Sequence, residues 1–207
     1  MLRALPALGL VAVLSACGVD KTWAPDDQVA AARYVAGPPP SVTLFTVIND
    51  RNGTGAHSGL MINASQRVLF DPAGTWELPG IPIRNDVHFG ITDRVLNFYR
   101  DYHARDSETE KLHIIERTVI VSPEVAELVL QRVLNYGAVG KAMCTNATSS
   151  VLSGLPGFES LRHTFSPKKL SKEFGNLPGV TTRVITDDDD DNNHGILLVQ
   201  HDGSPLE

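Results

Sequence analysis

The chain has 207 residues, 42% of them hydrophobic and 20% charged, with a formal net charge of −6. That is enough for one domain with a real core, and nothing in the charge balance points to nucleic acid. Two cysteines, Cys17 and Cys144, are too few for a disulfide-stapled scaffold.

The N-terminus decides which thiols are available. Residues 1–17 read MLRALPALGLVAVLSAC. Arg3 supplies a positive charge, an apolar run follows, broken only by Pro6 and Gly9, and small residues close it. The run is too short to span a bilayer, so residues 1–16 are expected to form a secretory signal. Its end, Leu14-Ser15-Ala16-Cys17, resembles the lipobox of bacterial lipoproteins. The resemblance implies cleavage before Cys17, acyl chains on Cys17 and stable membrane anchoring through them. Gly18, where an Asp would imply retention at the inner membrane, implies the periplasmic face of the outer membrane. With Cys17 acylated, Cys144 has no partner within the chain. A lone thiol that survives the oxidising envelope is either buried or used.

Residues 17–40 read as a tether holding a short helix in APDDQVAAARYVAG, stopped by the prolines at 38–40. One domain, 41–207, follows. SVTLFTVIND (41–50) is β-branched and apolar and ends in turn chemistry. AHSGLMIN (56–63) and QRVLFDPAG (66–74) form a hairpin about a turn at Ala64-Ser65. The Pro- and Gly-rich stretch after it reads as a loop, where Trp76 lines a pocket or covers a sheet edge. A helix capped by Thr92 comes next, with Val95, Leu96, Phe98, Tyr99 and Tyr102 at helical spacing. KLHIIERTVIVS reads as a strand. The clearest helix has Ser122 at its cap, Pro123 at its first position and Gly137 past its end. CTNATSSVLSGL predicts a helix starting between 143 and 146, and Ser166-Pro167 opens another. VTTRVIT and GILLVQ are strand-like and flank an acidic run, Asp187–Asp191. That run lacks the spaced ligands of a calcium loop and reads as a solvated loop. Antiparallel strands mixed with helices define the class as α+β.

Cys144 carries the chemical question. A free thiol titrates near about 8.5 and needs a helix dipole or an imidazole to become a nucleophile. The helix predicted to begin at Cys144 supplies the first. Among seven histidines, His57 is best placed to supply the second, because it starts the first hairpin strand. A turn at Ala64-Ser65 pairs residues whose numbers sum to about 129, which sets His57 opposite Pro72 and beside Asp71. A carboxylate on the neighbouring strand is the group that would orient a base. His194, fifty residues beyond Cys144, is the competing base. His57 is favoured because its hairpin is a better-defined scaffold. The other histidines, among them His88 and His103, have no assigned partner. No His-x-x-x-His or Cys-x-x-Cys spacing points to zinc, and no cofactor is expected. The plainer alternative is a core thiol, since free cysteine is among the most buried residue types.

The order of these residues resembles a known family. AHSGLMINASQRVLFDPAG, then a strand and a helix, then a helix opening with Cys, is similar to the circularly permuted branch of the papain-like superfamily. That branch includes permuted relatives of cell-wall amidases and the lecithin retinol acyltransferase group. The resemblance spans residues 41–155. It implies an antiparallel sheet packed against helices, with His57-Ser58-Gly59 as the histidine motif, Cys144 as nucleophile and Asp71 as third residue. It also implies hydrolysis or acyl transfer at amide or ester bonds of the cell envelope, in peptidoglycan peptides or lipids. The rival expectation is a non-catalytic lipoprotein that binds a cell-wall component or a protein partner through the same fold.

Overall fold

The computed structural model describes residues 22–107 and 109–187. The lipobox with Cys17, the acidic residues 188–191 and His194 lie outside the described residues. Every residue from Val42 to Ile48 is buried, which requires β1 (Ser41–Asn49) to be covered on both faces. It pairs with β2 (Thr54–Asn63) on one side and β6 (Leu112–Ile120) on the other. The sheet continues through β3 (Arg67–Phe70), β5 (Val87–Phe89) and β4 (Ile83–Arg84) beyond β2, and through β7 (Thr181–Ile185) beyond β6. All pairings are antiparallel, and the mixed α+β class is as expected.

Strand alternation sends side chains to two separate cores. Val42, Leu44, Leu60, Ile62, Val68 and Phe70 meet three helices: α3 (Pro123–Leu134), α4 (Cys144–Leu152) and α5 (Pro167–Gly175). Phe45, Met61, Leu69 and Ile114 meet Trp76 and α2 (Asp93–His103) on the opposite face. The helices begin where cap chemistry allows. Thr92 Oγ1 accepts from the Val95 N–H, Ser122 Oγ from Val125 and Ser166 Oγ from Lys169, and proline opens α3 and α5.

Three details differ from expectation. The stretch read as a loop holds β4 and β5, which are too short to carry a periodic signal and are held by pairing to β3. The expected tether lies along the sheet from residue 22 onward. Its short helix is α1 (Asp26–Ala31), the Ala24 N–H bonds the Ile83 carbonyl, and the Tyr34 carbonyl accepts from the Arg67 N–H. Asn63 Nδ2 donates to the carbonyls of Gly37 and Pro39.

The third difference is the hairpin register, Leu60↔Phe70 and Asn63↔Arg67, one residue away from that expected. Three residues rather than two form the loop, with the Ala64 N–H bonded to the Gln66 carbonyl. The slip has a large effect, because one residue exchanges the faces of a strand. Carried past Phe70, this register sets Asp71 beside Gly59, on the face that holds His57. A β-bulge at Ala56, between the pairs Val47↔His57 and Ile48↔Gly55, sets the local aim of that strand.

Leu60 is fully buried in the core beneath α4 and α5. Leu60→Ala is expected to lower stability by roughly 2–5 kcal/mol in denaturant unfolding. A loss below about 1 kcal/mol would mean that this face packs loosely.

Candidate active site

The site lies where β3 stops. β3 ends at Phe70, so residues 54–59 of β2 pair with β1 alone and leave a free edge. The N-terminus of α4 meets that edge. Ser58 Oγ and Thr145 Oγ1 share a buried hydrogen bond of 2.9 Å, and the Ser58 backbone N–H points at the Cys144 thiol. Cys144 is the first residue of α4. Met143 before it provides no side-chain cap, so the helix presents uncapped N–H groups and its positive dipole end. Ala142 holds φ at +64°, a left-handed conformation that costs an alanine about 1 kcal/mol or more and turns the chain sharply into the helix. Asp86 Oδ2 accepts from the Val139 and Ala73 N–H groups at 3.0 and 3.4 Å. It thereby ties the approach to Cys144 to the loop after Asp71.

His57 stands between two partners. Its Nε2 meets Asp71 Oδ1 at 2.6 Å, and the ring lies close enough to the Cys144 thiol for each group to shift the other's titration. The His57 side chain keeps 13% of its exposure and Asp71 none. The Tyr99 hydroxyl donates to the same Asp71 oxygen at 2.9 Å, and its ring is packed edge-on against Phe45 and Trp76, 5.2 Å away in each case. The glycine of His57-Ser58-Gly59 now has a steric reason. A Cβ on Gly59 would fall 2.6 Å from the Tyr99 hydroxyl and 3.3 Å from Asp71 Oδ1. Gly74 makes room for the other carboxylate oxygen, which a Cβ there would meet at 1.7 Å. That oxygen has no hydrogen-bond partner among the described residues.

His103 stacks on His57, with rings 5.4 Å apart and 12° from parallel. Its Nδ1 donates to the Tyr99 carbonyl at 3.0 Å, so in the neutral ring the lone pair lies on Nε2. His88 is buried against Trp76, 5.0 Å between rings.

Burial and charge act in opposite directions here. Burial alone would lower His57. The Asp71 carboxylate and its hydrogen bond outweigh burial, and the Cys144 sulfur adds to them, so His57 is raised to about 10. Burial would raise Asp71, but the His57 charge and hydrogen bond pull it well below the usual carboxylate range. Burial likewise pushes the Cys144 thiol up, and the bond and charge of His57 bring it below its ordinary value, helped by Thr145 and the Ser58 N–H. Desolvation lowers His88 and His103 to about 4 and keeps both neutral. Burial raises Asp86, with its two N–H bonds opposing. These directions make His57 an imidazolium held by a buried carboxylate and ease ionisation of the Cys144 thiol beside it.

Three potential metal-ligand atoms also converge here, which the sequence spacing did not suggest. Ligand atoms of His57, Asp71 and His103 lie within 4.8 Å of one another. In the present geometry, His57 Nε2 and Asp71 Oδ1 are bonded to each other. A cavity of about 370 Å³ adjoins the group, bounded by Asp71, Gly74, Trp76, His88 and Lys141.

The structure therefore brings Cys144, His57 and Asp71 together, while Cys17 and His194 lie outside the described residues. Sequence reasoning missed Tyr99, His103 and Asp86. The i, i+4 pair Tyr99–His103 on an apolar helix face was the available signal, and only the apolar reading of Tyr99 was made. No family model, curated protein or solved structure matches the chain.

The titrations fix a stability profile. Below about 6.5, the unfolded chain protonates His88 and His103 while the folded chain does not, so stability falls from about 6.5 toward about 4. The slope is at most about 1.4 kcal/mol per pH unit for each histidine. His57 has the opposite sign: its contribution is complete below about 6.5 and is lost as pH rises toward 10. Asp71 contributes above about 4. Cys144 acts against His57 here, because a lowered thiol binds fewer protons in the folded chain, and the two offset each other between about 6.5 and 8.5. Stability from equilibrium unfolding across pH 4.5–10 should rise to about 6.5, level off, and fall toward 10. A profile still rising at pH 9.5 would contradict a charged His57.

Proposed function

We propose that Cys144, His57 and Asp71 are a catalytic triad and that the chain is a thiol hydrolase or acyltransferase acting on amide or ester bonds in the cell envelope. The observation that carries this reading is the placement of His57. It is bonded to a fully buried carboxylate and lies beside a thiol at the first residue of a helix, close enough to shift that thiol's titration. In this mechanism the thiol has given its proton to His57 when the pair forms, and the sulfur attacks the carbonyl carbon. The uncapped N–H groups at the start of α4 stabilise the oxyanion. His57 then protonates the departing amine or alcohol and leaves a thioester on Cys144. Water completes hydrolysis, or a second nucleophile receives the acyl group. Asp71 fixes the ring and balances its charge, and Tyr99 fixes Asp71.

The order His57, Asp71, Cys144, on an antiparallel sheet with helices against it, supports a permuted papain-like arrangement. Acylation at Cys17 would hold the domain at the outer membrane. Peptidoglycan stem peptides are the natural amides there, and envelope lipids or lipoprotein acyl chains are the natural esters. The competing reading, a non-catalytic envelope lipoprotein that binds a cell-wall component or a protein partner, is favoured by one observation. Cys144 keeps only 9% of its exposure.

Alkylation of Cys144 by iodoacetamide as a function of pH separates the two, using the full chain with Cys17→Ser. The catalytic reading expects an apparent thiol pKa well below about 8.5, restored to that value or above by His57→Ala, with a loss of roughly tenfold or more in rate at pH 6. A thiol that reacts only after unfolding would make Cys144 a core residue and sink the proposal.

A further inference from the structure

A second cavity, of about 510 Å³, opens between β6 and α5 at the end of the sheet where β1 leaves and β2 begins. Its charge is the reverse of the chain's net −6. Three cations line it, Arg117 from β6 and Lys168 and Lys172 from α5, against a single carboxylate, Asp50. Asp50 is already paired with His113. Lys168 Nζ donates to the Gly53 carbonyl at 2.8 Å, on the loop that enters β2.

Arg117 is the best-defined of the three. Its Nε is buried and has no hydrogen-bond partner among the described residues. One terminal nitrogen donates to Ser171 Oγ, on a residue only 2% exposed. Gly175, at the end of α5, leaves the space the guanidinium occupies, since a Cβ there would stand 2.7 Å from Nε. α5 therefore supplies a hydroxyl and a gap. Among the described residues, no carboxylate pairs with Arg117, Lys168 or Lys172. A partly desolvated guanidinium normally has a counter-ion, and its planar fork matches carboxylate or phosphate oxygens. The volume falls within the range of small-ligand sites, and Ile48 and Ile115 offer apolar wall for a carbon body.

We propose that this cavity binds a small ligand through an anionic group, a carboxylate or a phosphate, gripped by Arg117 and attracted by Lys168 and Lys172 at the mouth. The proposal is independent of any chemistry at Cys144. The full chain carrying Cys17→Ser would be titrated separately with inorganic phosphate and with succinate at constant ionic strength, with backbone amide shifts followed by NMR. Saturable shifts are expected at Gly53, Ser171 and Gly175. Arg117→Gln should weaken binding by roughly tenfold or more, and so should the double variant Lys168→Gln, Lys172→Gln. The lysines are exposed, so the double variant reports on the site even if Arg117→Gln fails to fold. Saturation by phosphate alone would assign a phosphoryl group, by succinate alone a carboxylate, and by both the shared anion site. Absence of saturation with either anion, or an affinity unchanged in the lysine double variant, overturns the proposal.

Discussion

The fold around the candidate site depends on the burial of one carboxylate. Asp71 has no exposed side-chain surface, and a carboxylate there is tolerable only with a positive partner and hydrogen bonds. His57 supplies the charge and one bond, and Tyr99 supplies a second. Two glycines, Gly59 and Gly74, leave the volume that lets these groups converge. The consequence passes along the pair to the sulfur. An imidazole held cationic by Asp71 is what lowers the Cys144 thiol despite burial.

Backbone geometry places the three groups as much as their chemistry does. β3 is short, and its end leaves the β2 edge open just where His57 and Ser58 sit. A β3 that ran on past Phe70 would compete with the sulfur for the Ser58 N–H. The helix carrying Cys144 is pinned to the same strand by the Ser58–Thr145 hydrogen bond, and Asp86 pins the segment leading into it. Adjacent residues of β2 therefore divide the work. Ser58 faces the helix, His57 faces the carboxylate, and the strand's alternation keeps the two tasks apart.

What was legible in the sequence was what is local. Ser122-Pro123, Thr92 and Ser166-Pro167 announced their helices because cap chemistry is written within a few residues. Cys144 at a helix start and His57 on a hairpin strand were legible for the same reason. The side on which Asp71 falls was not, because it depends on whether the turn holds two residues or three, and turn composition at Asn63-Ala64-Ser65-Gln66 allows both. Tyr99 and His103 read as one more apolar helical face, since their polar atoms matter only through Asp71, 28 residues from Tyr99. The cationic cavity was invisible for a similar reason. Arg117 and Ser171 are 54 residues apart, and neither is unusual alone.

The span between Ser58 and Thr145 has a consequence for the life of the chain. His57 and Asp71 are 14 residues apart and belong to one hairpin, but Thr145, next to the thiol, is 87 residues from Ser58. An extended chain holds no imidazolium near Cys144, so the thiol then has an ordinary cysteine's affinity for protons and an ordinary cysteine's reactivity. Only closure of the sheet and docking of α4 change that. The chain would be synthesised with its sulfur in an unarmed state, and tertiary structure itself would act as the safety catch.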